Sequence, residues 1–100
     1  MAIEISDSSS AHRYEARIDG QLAGFADYMR TKELIAFVHT EVDPSYEGRG
    51  VGSALARAAL DAARTDGLKV LAVCPFISGW MARHPEYQDL AYQNSSRVND

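Results

Sequence analysis

Between Asp43 and Asp66 the chain reads Asp43-Pro44-Ser45-Tyr46-Glu47-Gly48-Arg49-Gly50-Val51-Gly52 and then enters a segment patterned as an amphipathic helix. Three glycines at alternate positions directly before a helix free several consecutive backbone N–H groups to face one ligand. A helix N-terminus adds unpaired donors and a partial positive charge. Together they make residues 48–53 a candidate site for phosphate or pyrophosphate.

The patterns on either side define the rest. Val51, Leu55, Ala58, Ala59 and Ala62 form an apolar stripe, with Arg57, Asp61 and Arg64 on the other face. Asp61 is placed to pair with Arg57 or Arg64 along the helix, and Gly67 sits where a left-handed C-cap belongs. Upstream, Tyr14, Ala16 and Ile18 alternate with Arg13, Glu15, Arg17 and Asp19, the period of a half-buried strand. Asp19-Gly20 marks a two-residue hairpin. A second strand runs from Gln21 to about Met29, with Leu22 and Ala26 as core positions and Gly24 as its weak point. After a turn at Arg30-Thr31-Lys32, residues 34–42 supply a third strand containing Phe37, Val38 and His39. Three strands with short turns make an antiparallel meander, and residues 2–6 add a short edge strand before a flexible tip at 7–10. Beyond Gly67, residues 68–74 read as a continuous buried strand of the parallel kind. Pro75, which has no donor for a ladder, ends its pairing. Residues 77–83 form a short helix closed by His84-Pro85, residues 90–92 a last short strand, and residues 93–100 a polar tail expected to be disordered. The expected class is α/β (α+β): a mixed sheet with an antiparallel N-terminal meander, one crossover helix and a short C-terminal helix.

Composition narrows the function classes. One hundred residues is read as a single domain. A formal net charge of −4 argues against nonspecific nucleic-acid binding, which calls for a basic face. No apolar run is long enough to span a bilayer, and the Ser-rich start resembles no secretory leader, so no membrane role is expected. With one cysteine, Cys74, the chain cannot form an internal disulfide, and a reducing cytoplasm is the expected setting. His12, His39 and His84 are scattered without ligand spacing, so no metal is expected. Two nucleotide motifs are also excluded. A Walker A loop needs Gly-Lys-Ser/Thr where this chain has Val51-Gly52-Ser53. A Rossmann fingerprint opens a βαβ unit, whereas this loop follows a meander and only one crossover helix is available.

The order of meander, glycine loop, helix, parallel strand and short helix resembles the GNAT superfamily of acyl-CoA-dependent N-acetyltransferases, and within it the small YjdJ-type subfamily. The resemblance rests on His39-Thr40-Glu41-Val42, Gly48-Arg49-Gly50-Val51-Gly52, Gly67-Leu68-Lys69-Val70, Cys74-Pro75-Phe76 and Arg83-His84-Pro85-Glu86-Tyr87, and covers about residues 14–90. It implies acetyl-CoA as cosubstrate. Amides of Gly48, Arg49, Gly50, Val51, Gly52 and Ser53 would hold its pyrophosphate, and the pantetheine arm would lie near Glu41 and Val42 where the sheet splays beside Cys74 and Pro75. Arg49 would meet a CoA phosphate. Glu47 stands where the superfamily usually has Arg or Gln, and is expected to point outward.

Acetyl transfer to an amine needs a neutral amine, a polarised thioester carbonyl and a proton for the leaving thiolate. The superfamily often takes that proton from a tyrosine, but the matching position here is Trp80, whose indole is no general acid. Cys74 is the substitute, as proton donor or transient acetyl carrier; its bland alternative is a small buried hydrophobe. His39 and Glu41, two apart on one face of the strand, are candidates to deprotonate the ammonium. Tyr87, Tyr92, Phe76 and Trp80 are read as packing or pocket-wall residues. No early helix pair is legible between Ser10 and Leu34, which suggests an open site for an amine on a protein or peptide. The leading function is acetyl-CoA-dependent N-acetylation of an unidentified primary amine. The alternatives are a non-catalytic acyl-CoA sensor and a protein-interaction module.

Overall fold

The expected alternation builds a five-stranded sheet in the computed structural model, which describes residues 2–92; the polar tail at 93–100 lies outside the described residues. In chain order the strands are β1 (Glu4–Ser8), β2 (Arg13–Ile18), β3 (Gln21–Arg30), β4 (Leu34–Val42) and β5 (Lys69–Ala72). They lie in that same order across the sheet: β1 to β4 antiparallel, β5 parallel to β4. The parallel step is made possible by helix α1 (Val51–Thr65), which crosses over the sheet, and helix α2 (Pro75–Ala82) follows β5.

Local chemistry explains most of these elements. Asp19 and Gly20 both take left-handed φ, the geometry of a type I′ hairpin. Helix α1 ends where expected, with Gly67 at φ +72° and the Leu68 amide bonded back to the Ala63 carbonyl at 2.9 Å. The edge strand differs from expectation, because Asp7 and Ser8 pair with Tyr14 and Arg13 instead of forming a turn. The Tyr28 hydroxyl anchors this end by donating to Asp7 at 2.6 Å.

The helix face is also rotated from the one read in the sequence. Ala56, Leu60 and Ala63 are buried with Val51, Leu55 and Ala59, while Ala58 and Ala62 are only partly covered. The sheet takes the side carrying both leucines, which buries more apolar area. The charges on the far side reach across to the segment Pro85–Leu90, a 3₁₀ turn, rather than to each other. Arg64 binds Asp89 at 2.7 Å, and Asp61 accepts from the Tyr87 hydroxyl at 2.7 Å. The last strand expected at 90–92 is reduced to a single bridge between Val70 and Ala91. Both helices pack on one face of the sheet around Phe37, Leu55, Leu60, Ile77 and Trp80.

Two bulges set which side chains face that core. Between β2 and β3 the register slips past Ala23, which is why Ala23 is buried and Leu22 only half covered. Between β3 and β4 it slips past Val38. Gly24, which looks like a weakness in the strand, is a requirement of the packing. A Cβ there would stand 2.7 Å from the Glu41 carbonyl oxygen and 3.1 Å from Val51 Cγ1. Gly24→Ala is therefore expected to destabilise the fold by about 1–3 kcal/mol, read as a lower midpoint in urea unfolding; an unchanged midpoint would contradict this packing.

Candidate functional site

The loop after β4 begins with Asp43, whose carboxylate accepts from the Ser45 amide at 2.9 Å and starts the short turn Pro44–Tyr46. Those backbone and side-chain hydrogen bonds hold the Asp43 carboxyl below its ordinary pKa. Gly48 and Gly50 then take φ near +80°, a conformation that turns the chain sharply into α1. Gly52 serves a different need. Its missing Cβ would lie 2.8 Å from the Phe76 ring, so Gly52 lets α2 approach the first turn of α1.

Gly50 is the N-cap of α1 and offers no side-chain cap, and the first intrahelical bond runs from Ala54 N to Gly50 O at 3.0 Å. The amides of Val51, Gly52 and Ser53 consequently precede the hydrogen-bonded helix and face outward from its positive end. No acidic residue lies in this first turn. Glu47 is exposed, and the Arg49 guanidinium lies 5.6 Å from the Tyr46 ring centre.

The second half of the site comes from the parting of two strands. β5 pairs with β4 only from Leu34 to Phe37, and the last rung is the Cys74 amide donating to the Phe37 carbonyl at 2.8 Å. Pro75 then occupies the first position of α2, where its missing donor costs nothing, and leads the chain away from the sheet. From Val38 to Val42, β4 keeps β3 on one side and has no strand partner among the described residues on the other. Cys74 is therefore not a strand residue, as its sequence context suggests, but the N-cap of α2.

Cys74 is 3% exposed. As a thiol it donates to the Thr40 hydroxyl at 3.4 Å; ionised, it can accept from that hydroxyl instead. Burial opposes the thiolate, but hydrogen bonds from Thr40 and from the Ile77, Phe76 and Thr40 amides outweigh it, and the thiol titrates below its ordinary value.

His39 and Glu41 do share a face, and it is the opposite one. Gly24 faces α1 and pairs with Val42, so Val42 and Thr40 point to the helix side. His39 and Glu41 point to the other face, which carries no α-helix among the described residues. There His39 Nε2 meets Glu41 Oε1 at 3.0 Å and the imidazole lies 6.0 Å from the Phe25 ring. The Val38 bulge makes this separation, because Ile35 and Phe37 before it, and Thr40 and Val42 after it, all face the core. The structure thus joins Cys74 to Thr40, a partner that sequence reasoning missed, and sets His39 and Glu41 across β4 from it. A bulge of one unpaired residue has no sequence signature that would have shown this.

Trp80 is 1% exposed, stacked on His84 at 3.6 Å, and donates from Nε1 to Ser53 Oγ at 3.2 Å. Tyr87 is a packing residue whose hydroxyl is engaged by Asp61 and Arg57, whereas Tyr92 is 47% exposed. Among the described residues no group of three His, Cys, Asp or Glu side chains could hold a metal ion, and no helix is long and apolar enough to cross a membrane.

Comparison with known proteins agrees with this geometry. A family model described as GCN5-related N-acetyl-transferase matches residues 13–90. Protein NATD1 of Gallus gallus is 36% identical over 61 residues, covering 61% of this chain and 56% of that protein. Protein NATD1 of Homo sapiens is 37% identical over 54 residues, covering 54% and 48%. The chain thus spans about half the length of the relatives it matches. Among solved structures, a GCN5-like protein of Staphylococcus aureus superposes with a TM-score of 0.67 at 24% identity, covering 96% of both chains. A ribosomal-protein-alanine N-acetyltransferase of Brucella melitensis superposes with a TM-score of 0.58 at 21% identity, covering 88% of this chain and 66% of that one. The aminoglycoside enzyme AAC(6')-Iy, in complex with a CoA bisubstrate analogue, gives 0.51 at 21%, covering 88% and 65%. The family match over residues 13–90 shows that this chain belongs to the GCN5-related N-acetyltransferase family.

Proposed function

We propose that the protein is an acetyl-CoA-dependent N-acetyltransferase acting on a primary amine carried by a protein or peptide. The observation that carries this reading is the release of β4 from β5 after Phe37, next to an uncapped helix N-terminus on the same strand's exit. One end of that cleft suits a pyrophosphate, on the amides of residues 48–53. Along it, the unpaired edge of β4 suits the amides of a pantetheine arm, which would add to the sheet like a strand. Glu41, Val42, Cys74 and Pro75 border this path, and Arg49 stands where a phosphate would pass.

The two sides of β4 then divide the chemistry. On the helix side, Cys74 supplies the proton that the departing CoA thiolate takes, with Thr40 bridging to its sulfur. On the open side, His39 accepts a proton from the incoming ammonium, directly or through water. If Nε2–H donates to Glu41, Nδ1 is left as the basic nitrogen. The recess beside Glu41 is lined by Leu22, Phe25, Asp43 and Pro44. Its two carboxylates and aromatic ring favour a cationic acceptor. With no helix over this face among the described residues, the acceptor can be part of a larger chain. The single cysteine, Cys74, is consistent with a reducing compartment such as the cytoplasm.

Two measurements test this. Acetyl-CoA consumption over a panel of small, peptide and protein amines should show turnover, reduced by about 10²-fold or more in Cys74→Ala and in His39→Ala. Binding of acetyl-CoA without turnover on any amine would instead favour a sensor, a role consistent with the indole at position 80. Independently, ultraviolet titration of the thiolate should give an inflection below that of an ordinary cysteine. Thr40→Val should move it upward, since removing the hydroxyl removes a donor to the ionised sulfur while burial remains; an unmoved inflection would contradict the Thr40 contact.

A further inference from the structure

We infer that Trp80 is a positioning residue for cofactor binding: its buried indole N–H fixes the Ser53 side chain so that the Ser53 hydroxyl donates to a phosphate oxygen of the ligand. This inference rests on the cofactor reading above and adds a side chain to a site otherwise made of backbone.

The argument follows from the donor and acceptor inventory. An indole N–H only donates, and a serine hydroxyl has one proton and two lone pairs. At 3.2 Å the Trp80 Nε1–H occupies a lone pair of Ser53 Oγ. Among the described residues Ser53 Oγ has no other side-chain or backbone hydrogen-bond partner, so none of them accepts its own proton. Ser53 is the third residue of α1, in the turn whose amides face outward, and it is exposed. The hydroxyl is thereby held as a donor beside three further donors, an arrangement that suits an anion with several oxygens and no arrangement of cations.

The anchor is rigid. Trp80 is stacked on His84 at 3.6 Å with an interplanar angle of 13°, and the Arg57 guanidinium lies 5.3 Å from its ring centre. His84 is itself fixed, with Nδ1 2.7 Å from the Trp80 carbonyl oxygen. The indole therefore cannot turn away without disturbing α2, and the position that lacks a phenolic acid acquires a definite task. Phenylalanine would fill most of the same space but could not hold Ser53.

Calorimetric titration of the protein with CoA and with phosphate-free pantetheine separates this role from a structural one. Ser53→Ala and Trp80→Phe should each weaken CoA about tenfold and leave pantetheine unchanged. The double variant should be no weaker than either single, because both remove one linked interaction. Ser53→Thr, which keeps the hydroxyl, should restore CoA affinity. Three results would overturn the inference alone: CoA affinity unchanged in Trp80→Phe, equal losses for CoA and pantetheine, or additive losses in the double variant. Ser53→Ala, on the surface, keeps the test valid if Trp80→Phe fails to fold. No binding of CoA by the unaltered protein would overturn the cofactor reading and this inference with it.

Discussion

The hydrogen bond from the Cys74 amide to the Phe37 carbonyl is the hinge of this structure, because it is the last rung shared by β4 and β5. Up to that rung the two strands form an ordinary parallel ladder, buried under α1. Beyond it Pro75 withdraws a donor and starts a helix, and β4 runs on for five residues with no strand on one edge among the described residues. An unpaired strand edge is normally a liability, open to association with any extended chain. Here it lies beside the first turn of α1, so one opening presents sheet amides and helix amides together.

The Val38 bulge gives that opening two chemically distinct sides. Without it, the alternation begun by Ile35 and Phe37 would bring His39 and Glu41 to the helix side and expose Thr40. With it, Thr40 meets the Cys74 sulfur inside, and the His39–Glu41 pair stands outside on the helix-free face. In the proposed function, an acid at Cys74 and a base at His39 would flank the reacting carbonyl from opposite sides of β4, so the two would not neutralise each other. Gly24 belongs to the same arrangement, since only a residue without Cβ allows the Glu41 carbonyl and Val51 to close over β3 there.

Local rules made much of this legible from the residues alone. Glycine spacing placed the start of α1, Asp19-Gly20 the hairpin, Gly67 the end of the helix, and alternation in Arg13–Ile18 the second strand. The family resemblance carried by 39–42, 48–52 and 83–87 is matched by the family model over residues 13–90. What stayed hidden depends on contacts distant in sequence. Bulges at Ala23 and Val38 are mismatches between two strands, visible in neither one. The partners of Arg64 and Asp61 lie some 25 residues away, on the turn Pro85–Leu90, where a helix-only reading could not find them. Cys74 and Trp80 owe their settings to Thr40 and Ser53, 34 and 27 residues earlier.

The central claim is that the parted strands and the uncapped helix form one cofactor cleft. Amide NMR during titration with acetyl-CoA and with CoA tests it most directly. The account predicts shifts concentrated at Gly48, Gly50, Val51, Gly52 and Ser53, along β4 from Val38 to Val42, and at Cys74. Shifts scattered over the sheet, or none at millimolar cofactor, would contradict it.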